Sequence, residues 1–258
     1  MVHPPASIEI QGLAAGQAHS DRRTCSVPED EADVAVDGAV LAVITLRPAD
    51  PAVNLLIRGR SVLDQTIAAL RAASWIGPIV LALEEISQAE AVAAIFDPGA
   101  LRVQAAEPSA DRWRAISDAL ALAPPTEHVL VHDADRPLVS RAVLARLLAI
   151  ARNAPVVATG TPVRSSIKRV AEGRIVATVP RDGLHVIHGP WLFRRAVLQQ
   201  ALDAVPPTER AEEDEIALLG RGGVAIRLVT GDPLNVPVRS PADARFAELA
   251  VARGLLAT

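Results

Sequence analysis

The sequence predicts one α/β domain: a mostly parallel central sheet with helices on both faces, from which an extended β-hairpin departs. Three observations predict it. Apolar runs of strand length alternate with segments of helical period. The runs are continuous rather than alternating, as strands covered on both faces require. The rhythm breaks once, at "SSIKRVAEGRIVATVPR", where two β-rich segments flank an "AEGR" turn.

Residues 1 to about 36 are expected to form a flexible tail, because Pro, Gln, Ser and acidic residues leave too little apolar area to offset ordering entropy. The domain then runs over 37–258. "AVLAVITL" is a buried strand, and "SVLDQTIAALRAA" has helical spacing with Ser61 as its N-cap. "PIVLAL" is a strand, "SQAEAVAAIF" a helix and "LRVQAA" a short strand. "SADRWRAISDALALA" is a helix, "HVLVH" a strand, "SRAVLARLLAIAR" a helix and "PVVATGTPV" a strand. The hairpin follows over about 165–181, then helical segments around 190–204 and 212–220, a strand "VAIRLVT" and a last helix from "SPADARFAELA".

Composition limits the function classes. Hydrophobic residues make up 50% of the 258, and aromatics only 2%, so the core must be built from Val, Leu, Ile and Ala. Three Trp, three Phe and no Tyr supply no stacking platform for nucleic acid. A net charge of −4 argues against a general polyanion binder, while leaving room for a local basic pocket. The single cysteine, Cys25, forms no internal disulfide and suits a reducing compartment. No run is apolar for the ~18 residues of a membrane span, and the paired arginines of "DRRT" precede no apolar stretch of signal-peptide length. A cytoplasmic location, with neither nucleic acid nor membrane as partner, is the expectation.

The stretch "EHVLVHDADRPLVS" ends a hydrophobic strand in Asp133 and Asp135. In an open parallel sheet that end faces the crevice where ligands bind. His128, His132, His185 and His188 show no metal-ligand spacing and are read as structural.

Several segments, in order over about 39–250, together resemble the methylerythritol-phosphate cytidylyltransferase family. "VLVHDADRPLV" is similar to that family's V-H-D-A-A-R-P, and "TPVRSSIKRV" to P-V-x-D-T-[IM]-K-R. "TVPRDGLHVIHGPWLF" is similar to T-V-x-R-x-G-L-x-x-x-x-T-P-Q-x-F, and "GDPLNVPVRSPADARFAE" to G-D-x-x-N-[IF]-K-[IV]-T-x-P-x-D-L-x-x-A-E. The resemblance implies a Rossmann-like nucleotidyltransferase fold and a homodimer interlocked through the β-arm. It implies Mg²⁺-dependent attack of 2-C-methyl-D-erythritol 4-phosphate on the α-phosphate of CTP, giving CDP-methylerythritol and releasing pyrophosphate. It makes Asp133 the metal and nucleotide aspartate, and Arg136, Ser166, Lys168 and Arg181 substrate-binding residues. Asp135 stands at a usual alanine, as a second metal ligand or a surface charge.

The departures fall on the chemistry. The family's A-A-G-x-G-x-R-x-G-x-x-x-P-K loop is replaced by "TLRPADPAVN", shorter and without glycine, so its amides lack the φ > 0 turns that approach a triphosphate closely. Ala52 and Pro237 occupy the two lysine positions, and Lys168 is the one lysine beside 25 arginines. Ala115 and Gly189 replace a Ser and a Thr of the family pattern. Each lost donor of this kind removes about 3 kcal/mol of transition-state stabilisation. Arg47 and Arg239 are the candidate replacements for the lost cations, Arg239 sharing a face with Pro237 if that segment is a strand, and Arg58 or Arg60 lies near. Two outcomes follow: a divergent cytidylyltransferase with an impaired site, on this or another sugar phosphate, or a non-catalytic homologue kept as a partner or regulatory protein.

Overall fold

The computed structural model describes residues 40–47, 50–84, 92, 102–105, 112–204 and 214–255. The chain divides into two units, 1–32 and 33–258, and everything described belongs to the second. The expected N-terminal tail lies outside the described residues, as does the helix expected over 87–96 apart from Val92.

Seven strands form the main sheet. They are β1 (Val40–Leu46), β4 (Ile76–Leu83), β5 (Arg102–Ala105), β6 (His128–Asp133), β7 (Val156–Pro162), β10 (His185–Arg194) and β11 (Ile226–Thr230), in the order β11-β7-β10-β6-β1-β4-β5. Two short strands, β2 (Leu56–Ile57) and β3 (Arg60–Ser61), pair with each other, as do β8 (Ile167–Ala171) and β9 (Arg174–Val179). The helices are α1 (Val62–Arg71), α2 (Arg112–Leu122), α3 (Arg141–Ala151), α4 (Arg195–Ala204), α5 (Glu215–Arg221) and α6 (Pro241–Ala252).

Strand β1 shows why the sheet is covered twice. Val40, Ala42, Ile44 and Leu46 join a cluster with α1, α3 and α6, while Leu41 and Val43 join a second cluster with α2, α4 and α5. Alternate side chains of a strand point to opposite faces, so a wholly apolar run must be buried on both. All seven residues of β1 are buried. Helix starts are set by local chemistry: Ser61, Ser140 and Ser240 each accept a backbone N–H of the first turn, at Asp64, Val143 and Asp243.

The sheet differs from expectation at one strand. Residues 190–194, expected to open a helix, belong to β10, which runs antiparallel between β6 and β7. Its end, His188 to Phe193, is buried, so the run carries little period-2 signal to separate strand from buried helix. Helix α4 begins only at Arg195. The expected hairpin is present as β8 and β9, turning at Glu172 (φ 49°) and Gly173 (φ 72°). Two successive positive φ values are those of a tight hairpin turn whose twist matches the strands.

One buried side chain fixes the loop after β6 on the helix layer. The Thr66 hydroxyl on α1 lies 2.8 Å from the Ala134 carbonyl and is fully buried. Thr66→Val keeps the shape and orphans that carbonyl, and is expected to lower unfolding free energy by about 1–2 kcal/mol in denaturant titration.

Candidate active site

Three adjacent parallel strands, β6, β1 and β4, end side by side, and each is followed or closed by a charged residue: Asp133, Arg47 and Glu84. Thr45 of β1 is in register with Asp133 of β6, and the Glu84 amide bonds the Leu46 carbonyl. The crevice at the carboxyl ends is therefore lined by charge that the strands themselves deliver.

Arg112, the first residue of α2, organises this end. Its Nε donates to Glu215 Oε1 at 2.7 Å, and its Nη1 to Thr45 Oγ1 at 2.7 Å and Asp133 Oδ1 at 3.2 Å. Its guanidinium carbon stands 6.0 Å from the centre of the Trp191 ring. Burial alone would depress the Arg112 pKa, but Glu215 and Asp133 together raise it. Glu215, at the start of α5, is fully buried, with Oε2 unpartnered among the described residues.

Asp133 is flanked on its other side by Arg136, whose Nε approaches Oδ2 at 3.3 Å. Arg136 in turn donates to the Asn235 carbonyl at 2.7 Å, and the Asn235 amide donates to the Gly189 carbonyl at 2.9 Å. Burial would raise the Asp133 carboxyl, yet Arg112 foremost, with His132 and Arg136, holds it down at about 2. Asp133 thus stays ionised at any physiological pH. Its stabilising contribution is complete above the ordinary carboxylate range and is lost as pH falls toward 2. His132 is buried, with Nε2 2.9 Å from the Arg136 carbonyl, and desolvation lowers its pKa to about 4. Gly189 leaves the space His132 needs: a Cβ there would stand 3.2 Å from Nδ1.

Asp135 is not the surface charge weighed from sequence, because its side chain is only 1% exposed. Two guanidinium groups, Arg47 Nη2 at 2.9 Å and Arg239 Nε at 2.6 Å, share its Oδ2. The two candidate replacement cations therefore do converge, on this buried carboxylate. Residues 231–240 form no strand, so Arg239 reaches the site from an irregular segment rather than from a strand face shared with Pro237. Arg58 and Arg60 belong elsewhere: Arg60 pairs with Asp64, and the Arg58 amide with Glu248.

Ser166, Lys168 and Arg181 are exposed on or beside the hairpin. Lys168 Nζ donates to Thr178 across the two strands at 2.7 Å, and Arg181 donates to the Arg164 carbonyl. They are not brought to Asp133 within this chain. Sequence inspection missed Arg112, Thr45, Glu215 and Glu84. The one available signal was the place of Arg112 at the head of "DRWRAISDAL".

A doubly covered, mostly parallel sheet with a charged crevice at its central strand ends is an α/β architecture that binds ligands at the carboxyl ends of its strands. The sequence model of the 2-C-methyl-D-erythritol 4-phosphate cytidylyltransferase family matches residues 48–253. A 2-C-methyl-D-erythritol 4-phosphate cytidylyltransferase of Cereibacter sphaeroides (strain KD131) is 35% identical over 205 residues, covering 77% of this chain and 88% of that protein. A bifunctional enzyme IspD/IspF of Anaeromyxobacter dehalogenans is 32% identical over 75% of this chain and 50% of its own length. A crystal structure of a 4-diphosphocytidyl-2C-methyl-D-erythritol synthase superposes with TM-score 0.71 at 27% identity, covering 84% of this chain and all of that one. The 2-C-methyl-D-erythritol 4-phosphate cytidylyltransferase of Thermus thermophilus gives 0.69 at 26% identity, covering 83% of this chain and 99% of that one. The chain belongs to this family of cytidylyltransferases.

Glu84 gives the site a neutral-range titration. Burial raises its carboxyl to about 7, against the opposing pull of Arg112 and Arg47. A raised acid holds a proton in the fold that the unfolded chain has released, so its destabilising contribution grows from about pH 4.5 to 7 and is constant above. Glu84→Gln is expected to raise stability by roughly 1–3 kcal/mol at pH 8 and little at pH 4, as read by thermal denaturation at both values.

Proposed function

We propose that the protein is a divergent methylerythritol-phosphate cytidylyltransferase with an impaired transfer step, working in the cytoplasm. The observation that carries this is Asp133, ionised and held between Arg112 and Arg136 at the carboxyl end of the central strands. That pattern suits a triphosphate with its cation: a carboxylate for the metal, and guanidinium groups for phosphate oxygens.

The donor set fits Mg²⁺ in one mode. No cluster of three or more His, Cys, Asp or Glu suited to a metal ion occurs among the described residues. Mg²⁺ with nucleotides needs only one or two carboxylates, the rest being phosphate oxygens and water. Asp133 would hold it, and the ion would neutralise charge on the triphosphate. Arg136 and Arg112 orient the carboxylate and offer positive charge beside it. In the transfer, an oxygen of the sugar-alcohol phosphate forms a bond to the α-phosphorus of CTP as the bond to the β-phosphate bridging oxygen breaks, releasing pyrophosphate. Absence of both lysines and of the glycine loop removes charge neutralisation and phosphate contacts that the transfer draws on, which lowers turnover.

The arm residues Ser166, Lys168 and Arg181 serve the site of a second copy in this reading. Val170, Ile175 and Val176 on the arm are more than half exposed, an apolar surface that suits a homodimer contact. Ile175→Asp is expected to convert a dimer to a monomer in sedimentation velocity.

CTP titrated by calorimetry with and without Mg²⁺ tests the nucleotide site. Saturable, Mg²⁺-dependent binding is expected, weakened tenfold or more (order of magnitude) by Asp133→Asn. Pyrophosphate release with methylerythritol phosphate is expected at least about a hundredfold below that of the Cereibacter relative. No heat at millimolar CTP would overturn the reading. It would favour the alternative of a non-catalytic partner or regulatory protein, which the capture of Arg47 and Arg239 by Asp135 supports.

A further inference from the structure

Asp135 is a carboxylate with an unusual environment. It is 1% exposed, yet both arginines on its Oδ2 are nearly half exposed, Arg47 at 44% and Arg239 at 47%. Its Oδ1 is buried and accepts no hydrogen bond among the described residues. The arginines come from distant parts of the sequence, Arg47 after β1 and Arg239 just before α6. Asp135 also holds the segment before α6 through its backbone, its carbonyl accepting the Val238 amide at 2.7 Å. Asp50, 8% exposed, faces the same group, and burial first and the charge of Asp135 after it help raise its pKa.

We infer that Asp135 is a built-in counter-ion that lowers the affinity of the strand-end site for polyphosphate anions by occupying Arg47 and Arg239. The inference deepens the proposed function and rests on its assignment of the strand-end crevice to a triphosphate. The carboxylate lies beneath the arginines, so it opposes an anion by charge and not by filling its space. Asp135 cancels one unit of the positive charge that Arg47 and Arg239 bring to the site. Every unit of charge on an incoming polyphosphate feels that difference, whereas the ordering of two half-exposed side chains by Asp135 counts once for each. The electrostatic effect therefore wins, and removing the carboxylate strengthens binding. A residue that merely scaffolds the site gives the opposite sign on removal.

The test uses the full chain with Asp135→Ala and Asp135→Asn, the second keeping the volume and an accepting oxygen should the first fail to fold. Inorganic tripolyphosphate is titrated by calorimetry at low and at high salt. Roughly tenfold tighter binding than the parent is expected in both variants. The gain should shrink at high salt, and should vanish when Arg47→Ala and Arg239→Ala are both added. Unchanged or weaker binding in the folded variants would overturn the inference, as would absence of binding in parent and variants alike, or a gain that survives removal of both arginines. CTP with Mg²⁺ is titrated in parallel. Tighter tripolyphosphate binding without any CTP binding would uphold the counter-ion and defeat the nucleotide reading; unchanged tripolyphosphate binding with normal CTP binding would do the reverse.

Discussion

Arg112 is the charge on which the site depends. One side chain joins the start of α2 to β1 through Thr45, to β6 through Asp133 and to α5 through Glu215. The carboxylates could not be buried without it, since a charge left unpaired in an interior costs about 3–5 kcal/mol. Glu215 is fully buried and Asp133 largely so. The placement of α2 and α5 on the sheet and the ionisation of Asp133 are thus one electrostatic problem with one solution. Trp191, under the guanidinium, adds an apolar floor that weakens screening by water and so strengthens each pair.

The cations beside this site are arginines, Lys168 being the one lysine of the chain. A lysine is a compact mobile cation, while a guanidinium is a planar fork that is fixed by the acceptors it meets. Arg47 and Arg239 meet Asp135, and their positions are set by a buried carboxylate rather than by a ligand. The segment between β1 and α1 follows the same logic. Asp50 caps the short turn Pro51–Val53 by accepting the Ala52 amide, so that backbone N–H is spent inside the protein.

Local chemistry made most of the fold legible in the sequence. Serines before apolar-periodic stretches mark the starts of α1, α3 and α6, and continuous apolar runs mark β1, β4 and β6, because caps and buried strands are decided within a few residues. Strand β10 reads as the start of a helix because a strand buried on both faces leaves no alternation, and only its neighbours β6 and β7 decide its state. The apolar run before it places Asp133 at a strand end, whereas Arg136 stood out only through its match to a family motif. Arg112 and Glu215 are 103 residues apart, and nothing local in either segment announces the other. Asp135 was visible as a departure, but whether it faced water or the interior depended on arginines 88 and 104 residues away.

The antiparallel strand β10 also makes the arm and the crevice mechanically continuous. Its ten residues, about 33 Å of extended chain, run without a break from His185 at the root of the arm to Trp191 under Arg112 and on to Arg194. Its register against β7 shifts between His188 and Leu192. The backbone that roots the arm is therefore the same backbone that floors the charged crevice.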